Sequence, residues 1–265
     1  MVQRDQQNQK TPDDQQPAPD SGSIKAGSAK SGSAGPGSGQ VRFDAIVVSA
    51  PSGTGKTTLN RRLTEQFSNF EISVSYTTRP QRPGEREGVH YHFVSVDRFQ
   101  SLVERGKMLE YASVFGTFYG TALDELERIT RLGKRVILEI DVQGWRQAKP
   151  RLSGAVSVFI LPPSIRVLWE RLAARGTESL EKRWRRLQTA RSEIESAQFY
   201  DVFVINEELD EAYRELTHVV IECLPPTLSH AQGLAHCAKL LAEFEEPWVS
   251  QLADEVTASV AVPRA

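Results

Sequence analysis

Ala50-Pro51-Ser52-Gly53-Thr54-Gly55-Lys56-Thr57 is the stretch whose reading decides the fold. It follows the short apolar run Ile46-Val47-Val48 and precedes Leu59, Leu63 and Phe67, which recur at the four-residue spacing of one helix face. A buried strand, a glycine-rich turn and a helix, in that order, aim successive backbone N–H groups at an anion on the helix N-terminus. Gly53 and Gly55 supply the backbone angles that such a wrap requires. Lys56 reaches the β- and γ-phosphates of a nucleotide, and the Thr57 hydroxyl is a ligand for Mg²⁺. Ala50 stands where the general pattern has its first glycine. The phosphate-donor site therefore comprises Ala50, Pro51, Ser52, Gly53, Thr54, Gly55, Lys56, Thr57 and Thr58.

Beyond this loop, Val136-Ile137-Leu138, Val156 to Leu161 and Val202-Phe203-Val204-Ile205 read as strands buried on both faces, each followed by a helix-like segment. Strands alternating with helices predict an α/β, three-layer core with a parallel sheet. The block from 72 to 122 breaks that rhythm. Its alternating stretches, Ile72-Ser73-Val74-Ser75 and Tyr91-His92-Phe93-Val94, and one helical run from Asp97 to Arg105 predict a small mixed β-rich insertion. Pro163 and Ser164 open a helix carrying Val167, Leu168 and Leu172, which Gly176 stops. Residues 166–191 then hold eight Lys and Arg against three acids, with Arg171 and Arg175 on one helix face and Gly176-Thr177 as a bend. With a phosphate loop present, that pattern predicts a hinged, arginine-rich lid over about 171–191.

Both chain ends differ from this core. Residues 1–20 are rich in Gln, Pro and Asp, and 21–40 hold six Ser and six Gly, which predicts a disordered tail. Asp5, Asp13, Asp14 and Asp20 argue against a transit peptide there. In the extension from 223 to 265, Leu234, Ala238, Leu241 and Phe244 predict one amphipathic helix packed on the core, then disorder.

The formal net charge of −2 gives no global field for nucleic acid or membrane. No apolar run approaches spanning length, and the N-terminus lacks a signal-peptide pattern. Cys223 and Cys237 have no metal-type spacing and read as reduced thiols. A cytoplasmic protein with small-molecule partners is expected. His90 and His92 read as surface residues, and Trp145, Trp169 and Trp184 as packing.

The insertion supplies a second anion site. Arg79 and Arg82 lie three residues apart in Ser75-Tyr76-Thr77-Thr78-Arg79-Pro80-Gln81-Arg82-Pro83-Gly84-Glu85. Two guanidinium groups beside a turn can clamp a phosphate bidentately, with the Tyr91 and Tyr119 hydroxyls completing its shell. At this point the chain resembles the guanylate kinase family. The matching pieces are the Ala50–Thr57 loop, Ser75–Glu85, Gly88–Tyr91, Leu109-Glu110-Tyr111, Tyr119-Gly120-Thr121, Leu138 to Asp141 with Gln143-Gly144, and Arg171–Thr177. They span about residues 43 to 222 in the family's order.

The resemblance implies a P-loop NTPase core over 41–222, a GMP-binding region over about 72–122 and a lid. It implies that Arg79, Arg82, Tyr91 and Tyr119 hold the GMP phosphate, and that Ser75, Glu110, Thr121 and Asp141 read the guanosine. Lys56 with Arg171, Arg175 and Arg186 would then act on the transferring phosphoryl group. Asn206 would lie near the adenine, and Glu139, where the family usually has aspartate, would act with Thr57 on Mg²⁺. Residue chemistry agrees for Glu110: a carboxylate accepts together from guanine N1–H and the 2-amino group, which adenine lacks there. The expected reaction is in-line transfer of the γ-phosphoryl group of MgATP to GMP or dGMP, without a covalent intermediate. Two rivals are a phosphoprotein-binding module of the same fold, disfavoured by the intact Gly55-Lys56-Thr57, and a sugar-phosphate kinase, disfavoured by Glu110, Thr121 and Ser75.

Overall fold

The computed structural model describes residues 45–114, 116–174 and 178–261. The expected tail at 1–40, the helix stop at Gly176 and the lid residues Arg175 and Thr177 lie outside them. In chain order the strands are β1 (Ala45–Ser49), β2 (Phe70–Ile72), β3 (Tyr76–Thr77), β4 (His92–Phe93), β5 (Met108–Val114), β6 (Thr117–Ala122), β7 (Arg135–Leu138), β8 (Val156–Leu161) and β9 (Val202–Ile205). The α-helices are α1 (Lys56–Gln66), α2 (Val96–Glu104), α3 (Leu123–Arg131), α4 (Val142–Ala148), α5 (Ile165–Ala173), α6 (Leu180–Glu195), α7 (Leu209–Val220), α8 (His230–Glu243) and α9 (Pro247–Ala261).

Five strands form a parallel sheet in the order β2-β7-β1-β8-β9. The continuous apolar runs follow from burial on both faces, because successive side chains point to opposite sides. Along β1, Ala45 and Val47 join one core with α3, α4, α5, α6 and α8, while Ile46 and Val48 join the other with α1 and α7. The sheet is thus the middle of three layers. Its C-terminal edge gathers the phosphate loop after β1, Glu139 and Asp141 after β7, and Asn206 after β9, as open parallel sheets commonly do for ligands.

A second, mixed sheet, β4-β3-β6-β5, is the insertion, and Phe99, Leu102, Met108 and Ala122 give it a core of its own. Its beginning corrects the sequence reading. The expected first strand of the insertion, Ile72-Ser73-Val74-Ser75, instead starts with the end of β2, which pairs with β7 as the edge of the core sheet. Phe70, 3% exposed, anchors that edge, and a three-residue strand carries too little periodicity to reveal which sheet it joins.

The C-terminal extension also departs from expectation. Helix α8 forms and packs on the core as expected, with Phe244 buried and Leu234 and Leu241 partly buried, but Gly233, Cys237 and Leu240 rather than Ala238 make its closest face. Where disorder was expected, α9 continues, and its Val249 and Val256 are buried. The extension grips both α5 and α6. Glu243 accepts from the Ile165 N–H at 2.6 Å, capping α5, and Glu245 pairs with Arg191 of α6 at 2.7 Å. No helix among the described residues is long and apolar enough to cross a membrane.

Gly233 lets α8 touch β9. A Cβ there would lie 2.1 Å from the Phe203 ring, which is 1% exposed. Alanine gains about 1 kcal/mol in helix propensity, but overpacking a held ring costs about 1–3 kcal/mol. Gly233→Ala is therefore expected to be net destabilising, seen as a lower urea midpoint at unchanged m-value.

Candidate active site

The phosphate loop is built as its composition demands. Gly53 and Gly55 have φ of 97° and 92°, in the left-handed region that favours glycine. Thr54 closes the turn, with both its N–H and its hydroxyl donating to the Pro51 carbonyl, at 3.2 and 2.8 Å. Asn206, 4% exposed, donates to the Thr54 carbonyl at 2.6 Å and so braces the loop from β9. A Cβ on Gly55 would sit 2.5 Å from that amide, so space as well as backbone angle selects glycine. Ala50, Pro51, Ser52, Gly53, Gly55, Lys56, Thr57 and Thr58 line a cavity of about 300 Å³ at the N-terminus of α1.

A ninth lining residue, Glu193 of α6, was not foreseen. Burial pushes its carboxyl up to about 7, a rise opposed by Lys56 and reinforced by Asp141. Its sequence signal is weak: one acid on the far end of a cationic helix.

Of the expected lid arginines, Arg186 meets the loop, its guanidinium donating to the Ser52 hydroxyl at 3.2 Å while pairing with Glu178 at 2.9 Å. Arg171 is placed elsewhere. It donates to the Asn206 and Glu207 carbonyls at 2.8 and 3.0 Å, groups just past β9 that the strand ladder leaves unpaired. Arg175 lies outside the described residues.

The metal assignment is tested by donor chemistry. Among the described residues no group of three or more His, Cys, Asp or Glu is gathered as a metal cage. Mg²⁺ travelling with nucleotide phosphates keeps several waters and needs only one or two hard oxygen donors from protein. The Thr57 hydroxyl, lining the phosphate cavity, and the Glu139 carboxylate fit that demand. Glu139 is held by Asn60, which donates to its Oε1 at 2.7 Å.

In the insertion, Arg79, Tyr91 and Tyr119 converge. The Tyr91 and Tyr119 rings are 6.0 Å apart, and the Arg79 guanidinium lies 5.5 Å from the Tyr91 ring centre. The sequence reading missed what orients this cluster. Glu85 accepts both Arg79 Nη groups, at 3.0 and 2.7 Å, and also the Arg82 backbone N–H at 2.7 Å. The Arg79 fork first, and the Arg82 N–H with it, hold the Glu85 carboxyl down to about 2. One carboxylate thus fixes the turn that carries both arginines. Arg82 itself is exposed.

The base-reading residues come together across β5 and β6. Glu110 and Thr121 are direct cross-strand partners, so their side chains share a face. A register shift between Met108 and Glu110 re-aims the strand at that point. Glu110 is 7% exposed, and burial pushes its carboxyl up to about 7, with Thr121 opposing the rise and Asp141 adding to it. Among the described residues it has no cationic partner. The neighbouring Thr121 hydroxyl is buried without a partner at bonding geometry. Asp141 caps α4, accepting from the Gly144 N–H at 2.7 Å. Gly144 is small for a reason: a Cβ there would be 2.8 Å from Glu110 Oε2 and 3.3 Å from Asp141 Oδ1. Ser75 sits at the entry to β3, half-buried, its carbonyl accepting from His92 N–H at 2.8 Å.

His92 corrects the surface reading. Its Nδ1 lies 3.1 Å from Glu87 and its ring packs 4.6 Å from that of Tyr76, whereas His90 is exposed as expected. Behind it Glu125 of α3, 3% exposed, accepts from the Val74 N–H at 3.0 Å and ties the segment between the two sheets to the core.

The described geometry is a cavity under a glycine-rich loop and, in the inserted sheet, an oriented arginine and a buried carboxylate with no cationic partner among the described residues. The family model described as guanylate kinase matches residues 42–223. A guanylate kinase of Neisseria gonorrhoeae is 48% identical over 195 residues, covering 74% of this chain and 94% of that protein. One from Alkalilimnicola ehrlichii is 49% identical over 170 residues, covering 64% and 84%. The crystal structure of guanylate kinase from Anaplasma phagocytophilum superposes with a TM-score of 0.53 at 31% identity, covering 78% of this chain and 96% of that one.

Proposed function

This chain belongs to the guanylate kinase family, and from that premise we propose that its phosphate loop and its inserted sheet carry ATP:GMP phosphotransfer by direct in-line displacement. It is a nucleoside monophosphate kinase. The observation that carries the substrate assignment is Glu110, a buried carboxylate with no cationic partner among the described residues, beside an unpartnered hydroxyl. Guanine supplies what that pair lacks: two adjacent donors for the carboxylate and an acceptor for Thr121.

In this reading the loop from Ala50 to Thr58 holds the ATP phosphates, and Lys56 neutralises charge on the β- and γ-oxygens. Asn206 keeps the loop in shape from its place near the adenine. Arg79 and Arg82, with Tyr91 and Tyr119, hold the GMP phosphate while Glu85 keeps the Arg79 fork aimed. Arg186, and Arg175 and Arg171 once the lid closes, gather on the transferring group. Ser75 and Asp141 complete the guanosine contacts, and dGMP is accepted as well. Mg²⁺, held through Thr57 and Glu139, would neutralise the β- and γ-phosphate oxygens of ATP. Because the GMP phosphate is already an anionic nucleophile, no protein general base is needed, and positioning with charge neutralisation carries the rate. A cytoplasmic location belongs to the same reading.

ADP production is expected with ATP plus GMP or dGMP, and not with ATP plus AMP or a hexose phosphate. Absence of GMP-dependent turnover from folded protein would overturn the assignment, and equal turnover with AMP would overturn the role of Glu110.

A further inference from the structure

Asn60 is 0% exposed, on the buried face of α1 one turn after Lys56 and three residues after Thr57. Its helix neighbours on that face, Leu59 and Leu63, pack with Ile46, Val48 and Ile137, so an apolar residue would suit the site. A buried amide is unfavourable unless its hydrogen bonds are made. Half of them are not: Nδ2 donates to Glu139 Oε1 at 2.7 Å, while Oδ1 is buried without any partner. The bond to a carboxylate settles which end of the amide is the donor. Leucine here would fill similar space and remove the orphaned oxygen, so local packing does not explain asparagine.

We infer that Asn60 is a positioning residue for the divalent cation that accompanies ATP, pinning one oxygen of Glu139 so that the other is presented to the cation's hydration shell. The inference rests on the reading of Glu139 as part of the cation site. Its physical basis is the length of glutamate. Compared with aspartate, Glu139 has one more freely rotating bond, and a side chain left to sample its rotamers loses entropy when it is ordered beside a cation. Asn60 removes that freedom in advance from the helix that also carries Thr57, three residues away and so on a neighbouring position of the helix surface. Glu139 has no other protein partner for its carboxylate among the described residues. Partners that orient a metal-site carboxylate typically change metal affinity about 10–100-fold when removed.

Calorimetric titration of ATP into the full-length protein, with and without Mg²⁺ and without GMP, reads this directly. For Asn60→Leu we expect a melting temperature equal to or above wild type, unchanged ATP affinity without Mg²⁺, and a fall of about tenfold or more in the affinity gained on adding Mg²⁺. Asn60→Ala serves the same comparison should leucine fail to pack. Glu139→Ala is expected to lose the Mg²⁺-dependent gain, and Asn60→Leu in that background to lose nothing further. If Glu139→Ala keeps the full gain, the reading of Glu139 itself fails. If Glu139→Ala loses it while both Asn60 variants keep it, the role of Asn60 is overturned. Equal weakening with and without Mg²⁺, or an extra loss in the double variant, makes Asn60 a structural residue only and overturns it too.

Discussion

Glu110→Gln is expected to lower kcat/KM for GMP by about 10²–10³-fold, or about 3–4 kcal/mol of lost transition-state stabilisation. Two effects add. In the proposed complex the carboxylate accepts two hydrogen bonds from guanine, and glutamine can accept only one, with its own amide hydrogens facing the second donor. The site is also enclosed, 7% exposed and bordered by Thr121, Gly144 and Asp141, so water cannot replace the lost bond cheaply. The ratio of GMP to AMP turnover is expected to collapse in parallel, while ATP binding stays unchanged. A variant that kept its preference for GMP would show that another group reads the base.

The same residue gives a pH signature. Burial pushes the Glu110 carboxyl up to about 7, and guanine needs the ionised form. The KM for GMP is therefore expected to rise by about tenfold between pH 8 and pH 6, and the rise to vanish in the glutamine variant. That variant binds the same substrate, so it subtracts any titration of the GMP phosphate. The stability effect has a defined sign. A carboxyl with a folded-state value above its unfolded one favours folding at low pH, and that contribution is lost as pH climbs from about 4.5 through about 7. Glu110→Gln is thus expected to melt at or above wild type at pH 8, and to lose that advantage by pH 4.

Lys56→Met is expected to reduce kcat by about 10³-fold with little change in GMP affinity. Lys56 lines the cavity at the N-terminus of α1 and is the cation that the loop itself supplies there. Removing one preorganised charge from a site of developing negative charge typically costs about 10²–10³ in rate, and a full ammonium lies at the upper end. Of the proposed GMP residues, Arg79, Arg82, Tyr91, Glu110, Tyr119 and Thr121 lie in the insertion, whose sheet has its own core, and only Asp141 caps a helix of the main core, so their geometry depends little on Lys56. Steady-state kinetics with calorimetric GMP binding checks both halves. A rate within tenfold of wild type would exclude Lys56 from the transfer step.

Four core strands and the phosphate loop were legible because burial on both faces leaves an unmistakable apolar run, and because the loop needs its glycines at fixed spacing. The insertion was legible as a break in rhythm but not in its boundary, since Phe70–Ile72 is too short to declare its sheet. Helix α8 was legible from Leu234, Leu241 and Phe244, but Gly233 and Cys237, which are buried beside them, are not conspicuous apolar residues. The quoted Ser75–Glu85 segment contained Glu85, yet its grip on Arg79 depends on how the turn folds back over six residues. Asn60 and Glu139 lie far apart in sequence, and nothing in a single chain links a polar residue on α1 to one past β7. Residues that touch the ligands carry motifs; residues that hold them in place carry only geometry.

The extension that grips α5 and α6 also ties the protein's assembly to its synthesis. Cys237, Leu240, Phe244 and Val249 belong to the same apolar cluster as Ala45 and Val47 of the first strand. That cluster joins the first strand of the sheet to its last helices, contacts of very high sequence separation. A nascent chain that has emitted β9 still shows Phe203 and the outer face of α6 to water, and it closes them only when α8 and α9 have left the ribosome. The catalytic elements are all made by then. Completion of that core is therefore expected to follow synthesis of α8 and α9, helices on which none of the proposed site residues lies.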